Sequence, residues 1–393
     1  MKGNIASLQS LFVAQFLSAF VDNMILFIAL AIIKQDGYPG YYLPLVQSTF
    51  LFSYIVLSPW VGRFADKRPK AEVLMIGNAV KAVGIILLLL AVDPAVSYAV
   101  VGVGAVIYSP AKYGILPFLT RDEDELLRAN SSLESYTILA ILGGAVAGGY
   151  LSDLSIPVSL SICLLLYGVS IIFNKLIPKD PGNRSISYTH AISEFWADMA
   201  ILIDNRQSYY SLLGTGSFWL AAAVLRMIIF AWIPMTLGIT SGVQVSMIIT
   251  VTGVGIAIGA VTAPYFISIK TYQRTSWFGF GMAGCMFSFL LIHSLPVAVL
   301  LLLLVGCFGG IYIVPLNTCL QHVGRRTIGT GKTIAVQNFV ENMLMFLGVG
   351  AYTLAAKANI AVQISLSVVG VVLVLFLAYM LLVVDKPSKA QPS

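Results

Sequence analysis

The sequence predicts an all-α, polytopic membrane protein of twelve transmembrane helices arranged as two six-helix pseudo-repeats. Three observations carry that prediction. Of 393 residues, 58% are hydrophobic and only 10% charged, with a mean hydropathy of +0.90, whereas soluble globular domains carry about 25% charged residues. Apolar runs near the roughly 20 residues that cross a bilayer as a helix recur twelve times. Motifs of the first half return in the second at an offset of 204 or 205 residues.

Taken in order, the runs lie near residues 11–33, 44–62, 72–91, 95–118, 129–151 and 156–177, then 209–236, 243–268, 275–293, 296–320, 332–356 and 360–384. This divides the chain into a six-helix bundle at 1–177, a cytoplasmic connector at 178–208 and a second bundle at 209–393. The connector is the longest polar stretch, and residues 190–202 within it read as a short amphipathic helix at the membrane surface. The opening run is too long for the apolar part of a cleavable leader and carries Asp22, so it reads as a permanent first span.

Basic residues fix the orientation. With twelve spans both termini fall on one side, and that side collects 18 of the 23 Lys and Arg residues against two, Lys34 and Lys357, on the other. The bias places both termini and the connector in the cytoplasm of a bacterial inner-membrane protein. The net charge of +6 follows from the same scatter over short connectors; it forms no stripe for nucleic acid. Cys163, Cys285, Cys307 and Cys319 stand singly in apolar runs with no histidine cluster, which argues against a metal or a disulfide. No phosphate-binding loop occurs, since Gly329-Thr-Gly331-Lys332-Thr333 lacks the spacing, and no cofactor is expected.

Charges inside spans are costly, roughly 2.5 to 3.5 kcal/mol each on insertion scales, and so need a partner or a purpose. Asp22, followed by Asn23, interrupts span one, and Arg226 stands at the equivalent place in span seven. Opposite charges at matching positions of two halves suggest a polar site near the bilayer midplane, with Arg226 as the compensating cation. Lys112 and Tyr113 sit beside Pro110 and Gly114 in span four, where helix irregularity frees carbonyls and a cation can meet a phosphate or snorkel to the headgroups. Span eleven carries Gln337, Asn338, Glu341 and Asn342, and span five carries Asn130, Ser131, Glu134 and Ser135; spacings of three and four put Asn338 with Glu341 and Asn342, and Ser131 with Glu134 and Ser135, on one helical face each. Gln15, together with Asn78 and Lys81 of span three, extends the polar set. Such charges also serve as structural ion pairs between helices.

The internal repeat is visible in detail. Tyr108-Ser-Pro-Ala-Lys-Tyr-Gly in span four aligns with Tyr312-Ile-Val-Pro-Leu-Asn317-Thr in span ten, and Ser58-Pro59 with Ala263-Pro264. Gly143, Gly144, Gly148 and Gly149 in span five, and Gly253, Gly255 and Gly259 in span eight, are small-residue faces expected to admit close helix approach and to serve as sliding contacts.

The turn Gly62-Arg-Phe-Ala-Asp66-Lys67-Arg68-Pro69-Lys70 resembles the loop between spans two and three of the major facilitator superfamily, with proline where that family often has glycine. The resemblance implies a role in gating for Gly62, Asp66 and Arg68. Over nearly its whole length the chain is similar to the bacterial LplT family within that superfamily. The blocks that carry the likeness are Val13-Ala-Gln-Phe-Leu-Ser-Ala-Phe-Val-Asp22-Asn23, Val101-Gly-Val-Gly-Ala with the Tyr108 motif, Leu225-Arg226 through Trp232-Ile-Pro234, Val314-Pro-Leu-Asn317, and Ile334-Ala-Val-Gln-Asn338 with Glu341-Asn342. Lys332 departs from the asparagine usual there.

That likeness implies movement of lysophospholipids, such as lysophosphatidylethanolamine, to the cytoplasmic leaflet, with a separate acyltransferase and acyl-carrier-protein synthetase re-acylating them. It implies partners among membrane lipids and no enzyme activity of its own. Arg226 is expected to bind the phosphate, Asp22 the ammonium, Lys112 to assist on the cytoplasmic side, and Gln337, Asn338 and Glu341 to add polar contacts. An alternative is a proton-coupled exporter of drugs or small molecules, with Asp22 as the titrating group. A membrane acyltransferase would need a histidine with an aspartate five residues on, a pattern that His190, His293 and His322 do not supply.

Overall fold

The computed structural model describes residues 2–121, 123–267 and 269–384, and among them the chain is helical with no strand. The first six runs become α1 (Lys2–Gln35), α2 (Tyr42–Lys67), α3 (Lys70–Leu89), α4 (Pro94–Gly114) followed by the one-turn α5 (Leu116–Leu119), α6 (Glu123–Leu154) and α7 (Ile156–Lys175). The connector carries α8 (Ala191–Asp204). The second half holds α9 (Arg206–Trp232), α10 (Gly242–Phe266), α11 (Thr275–Ser288), α12 (Leu295–Thr327), α13 (Thr330–Lys357) and α14 (Val362–Tyr379). Eleven helices of the described residues are long and apolar enough to cross a membrane.

The ninth expected span, 275–293, is built differently. Its α-helix α11 has 14 residues, about 21 Å at 1.5 Å per residue. Three-residue-per-turn segments at Ile269–Arg274 and Phe289–Leu291 carry the chain on at either end, and Thr271 leaves helical geometry at φ −116° and ψ 27°. Span four is also shorter than the 95–118 that hydropathy suggests. A proline at 117 has no N–H to give to the carbonyl four residues back, so the helix stops at Gly114 and restarts.

Local chemistry sets other ends. Asp93 caps α4, its Oδ1 accepting from the amides of Ala95 and Val96 at 2.8 and 3.3 Å, with Pro94 in the first turn where no amide is needed. Asn205 caps α9 through the amides of Gln207 and Ser208. Beyond Trp232, Pro234 widens the last turn of α9 into a π-helical segment, Ile233–Leu237, which Gly238 ends at φ +69°.

By internal contacts the chain forms two compact units, Met1–Phe195 with Ile239–Thr250, and Trp196–Gly238 with Val251–Ser393. In the first, α1 packs on α6 and α7 and touches α4, α3 packs on α4 and α7, and α2 on α4. In the second, α9 packs on α13, α12 and α14, and α11 on α12 and α14. Each pairing of the second unit is a pairing of the first advanced by six spans. The repeat read from motif offsets is therefore a repeat of helix packing.

The glycine faces lie where close approach is needed. A Cβ on Gly144 of α6 would fall 2.2 Å from the Phe20 carbonyl oxygen of α1, and one on Gly259 of α10 would fall 2.1 Å from the Cys307 carbonyl oxygen of α12. Lipid gives helices no hydrophobic reason to associate, so this backbone proximity and its dispersion contacts take over.

Candidate functional site

In the first unit the cost of Asp22 in α1 is met by neighbours on α3 and α7. Lys81 Nζ donates to Asp22 Oδ2 at 2.7 Å, and the Tyr167 hydroxyl donates to Oδ1 at 2.5 Å. The network then runs inward. Lys81 also donates to Ser18 Oγ at 2.9 Å, Ser18 donates to Asn78 Oδ1 at 2.8 Å, Asn78 donates to Ser170 Oγ at 2.8 Å, and Ser170 ends the chain on the Ala14 carbonyl. The Lys81 ammonium also lies 4.7 Å from the Tyr108 ring centre and 5.7 Å from that of Tyr167. Attraction between unit charges at about 4 Å is worth roughly 4 kcal/mol at an effective dielectric near 20, enough to offset much of the insertion cost. The compensating charge that register assigned to Arg226 is thus supplied by Lys81, inside the same half.

The two ends of this pair differ in access. The Lys81 side chain is 1% exposed and that of Asp22 is 23% exposed. The carboxylate is the end that can meet another molecule.

In the second unit Gln337 of α13 makes a fork. Its amide nitrogen donates to Asn317 Oδ1 on α12 and to Glu341 Oε1, both at 2.7 Å. Gln337 and Glu341 are buried; Asn317 is partly so. The grouping that spacing suggested in span eleven, Asn338 with Glu341 and Asn342, is not the one that bonds: Glu341 is held by Gln337 one turn earlier, and Asn317 joins from the neighbouring helix. Asn342 turns back to the Asn338 carbonyl. Arg226 lies partly buried on α9.

Other candidates are placed as follows. Gln15 is buried on α1 and donates to Thr137 Oγ1 of α6 at 3.0 Å, while its Oε1 has no hydrogen-bond partner among the described residues. Asn23 is satisfied by the Ala19 carbonyl of its own helix. Lys112, in the last turn of α4, lies 4.6 Å from the ring centre of Tyr113, which packs on an apolar cluster including Leu8, Leu11 and Leu133. Glu134 lies along α6, and its side chain falls outside the described residues.

The turn between α2 and α3 is strapped by the connector. Lys70 ion-pairs with Asp180 at 3.0 Å and with Asp66 at 3.7 Å, the Asn183 amide donates to the Asp66 carbonyl, and Arg63 holds both the Ser187 carbonyl and Glu194. Lys67 covers the Tyr188 ring at 4.7 Å, and Arg68 covers that of Phe64 at 4.7 Å. The α8 helix is amphipathic as expected. It buries Ala191, Phe195, Met199 and Leu202 and exposes Ile192, Ile201 and Ile203. Lys332 of α13, the residue that departs from the usual asparagine, pairs with Asp198 of α8 at 3.0 Å.

Tyr167 and Ser170 belong to the network around Asp22 and were missed by sequence reasoning. A tyrosine in an apolar run reads as an ordinary lipid-facing aromatic. The available signal was the spacing of three shared by Asn78 with Lys81 and by Tyr167 with Ser170, which puts two polar side chains on one face of each helix.

A helical chain that packs as two matching six-span halves and buries ionised groups within its spans has the build of a membrane carrier. The chain belongs to the Major Facilitator Superfamily, whose family pattern matches residues 11–349. Within it the chain belongs to the LplT family. It is 41% identical over 358 residues to the lysophospholipid transporter LplT of Photorhabdus laumondii, covering 90% of each chain. It is 40% identical to that of Yersinia enterocolitica, covering 89% of this chain and 87% of the relative, and 41% identical to that of Pectobacterium carotovorum, covering 91% and 88%. Among solved structures, the nucleoside transporter NupG superposes with a TM-score of 0.72 at 14% identity, covering 99% of this chain and 100% of that one. The human organic anion transporter MFSD10 superposes at 0.68 and 12%, covering 96% and 99%. At those identities the likeness is one of fold.

Proposed function

We propose that this protein carries lysophospholipids, such as lysophosphatidylethanolamine, across the bacterial inner membrane to the cytoplasmic leaflet. The observation that carries the reading is identity near 40% over about nine-tenths of the chain to proteins named as lysophospholipid transporters. Intramembrane groups of the kind a zwitterionic or anionic head requires are consistent with it: Asp22 with Lys81, Arg226, Lys112, and the Gln337, Glu341 and Asn317 fork. Arg226 would take the phosphate, since a guanidinium meets two phosphate oxygens at once. Asp22 would take the ammonium, and Lys112 the phosphate as it nears the cytoplasmic side, with Asn23, Tyr113, Gln15, Glu134 and Asn338 adding polar lining.

Alternating access by two six-span bundles, 1–177 and 209–393, joined by a cytoplasmic connector at 178–208, would move the head while the acyl chain stays in lipid. Gly62, Asp66 and Arg68 would act in gating through the strap beneath them. Both termini would lie in the cytoplasm. The imported lipid is a substrate for re-acylation by an acyltransferase and acyl-carrier-protein synthetase, so the chain itself performs no chemistry.

The test is uptake of defined lysophospholipids into proteoliposomes with imposed proton or sodium gradients, for the parent protein and for Arg226→Gln and Asp22→Asn. Uptake by the parent and its loss in both variants is the expected outcome. Near-normal uptake in both variants would remove these residues from the site, and absence of uptake by the parent would remove the function.

A further inference from the structure

The buried lysine behind Asp22 enters the reading above only as the partner of that carboxylate. Its position is built, not incidental. A Cβ on Gly104 of α4 would fall 2.5 Å from Lys81 Cγ and 2.7 Å from its backbone nitrogen, so the bare glycine lets α4 press along the lysine stem. The ammonium is then held by Ser18 Oγ, by Asp22, and by the faces of Tyr108 and Tyr167. With 1% of its side chain exposed, it is a fixed cation that does not itself meet a substrate. The carboxylate in front of it, 23% exposed, does. Whatever approaches therefore meets a carboxylate whose field is damped by a positive charge 2.7 Å behind it.

We propose that Lys81 is a positioning and specificity-determining residue. By holding Asp22 in place and neutralising it, it sets how strongly the carrier prefers amine-bearing lysophospholipid heads over amine-free anionic ones. The inference rests on the transport reading above and extends it to selectivity. A paired carboxylate still attracts an ammonium at short range but adds no net negative charge to repel a phosphate. An unpaired one attracts the ammonium more strongly and repels an anionic head.

The experiment compares initial uptake of lysophosphatidylethanolamine and lysophosphatidylglycerol, at equal concentration, into proteoliposomes holding the full chain. Lys81→Met is expected to raise the ratio of the two rates by roughly fivefold over the parent, the size of a differential of about 1 kcal/mol. Lys81→Gln likewise removes the positive charge while keeping a polar end for Ser18, should raise the ratio in the same direction, and covers the case in which Lys81→Met alone fails to fold. A ratio that stays parental in whichever variants insert, whatever happens to total rate, would make Lys81 purely structural and overturn the inference while leaving the transport reading intact. A parent protein that takes up neither lipid overturns both.

Discussion

The two halves share a packing plan and differ in how they fill it. Where α1, α3 and α7 meet, the first half links the half-buried Asp22 to the buried Lys81, Asn78, Ser18 and Ser170 in one hydrogen-bonded chain. Where α9, α11 and α14 meet, the residues 204 positions on from Asn78 and Lys81 are Met282 and Cys285, and Leu377 packs against Gly279. The buried tyrosine common to both repeats follows suit: Tyr108 lies beneath an ammonium, whereas Tyr312 bonds to Ser217 at 3.0 Å and to the Met380 sulfur. Identical pairing of helices thus tolerates an ionic core in one copy and a mostly apolar one in the other. Helix pairing rests on what the copies share, the small-residue faces and interlocking spans. Charge is free to specialise.

The largest effect should come from breaking the ionic core on one side only. Asp22→Ala leaves Lys81 buried without its counter-charge and should destabilise the protein by about 3 to 5 kcal/mol. Cys285→Ala, at the place corresponding to Lys81, should cost about 1 kcal/mol. Thermal unfolding of both variants in detergent checks the contrast; equal losses would mean the pair contributes nothing special. Next come the shared faces. Gly144→Ala and Gly259→Ala each drive a Cβ into a carbonyl of the facing helix and should cost about 1 to 3 kcal/mol, alike in the two halves. A large asymmetry there would contradict the view that close approach is the common element.

Smaller again is the fork in the second half. Gln337→Leu removes the donor to Asn317 and to the buried Glu341 carboxylate and should cost about 1 to 3 kcal/mol, with uptake falling more than stability. If uptake and stability fell in proportion, the fork would be a brace between α12 and α13 and not part of the site. The smallest change belongs to the surface. Asp198→Asn breaks the solvent-exposed contact to Lys332 and should shift stability by less than about 1 kcal/mol. A melting point several degrees lower would show that α8 is held by charge as well as by its buried face.

Much of this architecture was legible in the sequence because the bilayer narrows the choices. Runs of the right length, the basic bias of one side and the fixed offset between Tyr108 and Tyr312 suffice for twelve spans in two repeats. The glycine faces of α6 and α10 and the amphipathic α8 followed from spacing. What register could not reveal was the partner of Asp22. Position along a span gives depth, and at equal depth Arg226 looked the better match; which helices are neighbours is set by packing, and α7, packed on both α1 and α3, brings Lys81 within reach of Asp22. For the same reason Tyr167 was not singled out. Hydropathy also overstated α11 and α4, since it registers apolar character and not the changes of backbone geometry after Ser288 and after Gly114.

The strap beneath the α2–α3 turn has a practical consequence for anyone tagging this protein. Residues 180–187 lie in the middle of the chain and read as an obvious place for an epitope or a fluorophore, but Asp180, Asn183 and Ser187 each hold a group on residues 63–70. An insert there would pull that turn apart. The bend between α1 and α2 is the safer choice, because Gly37 and Gly40 face open space and the chain there is exposed.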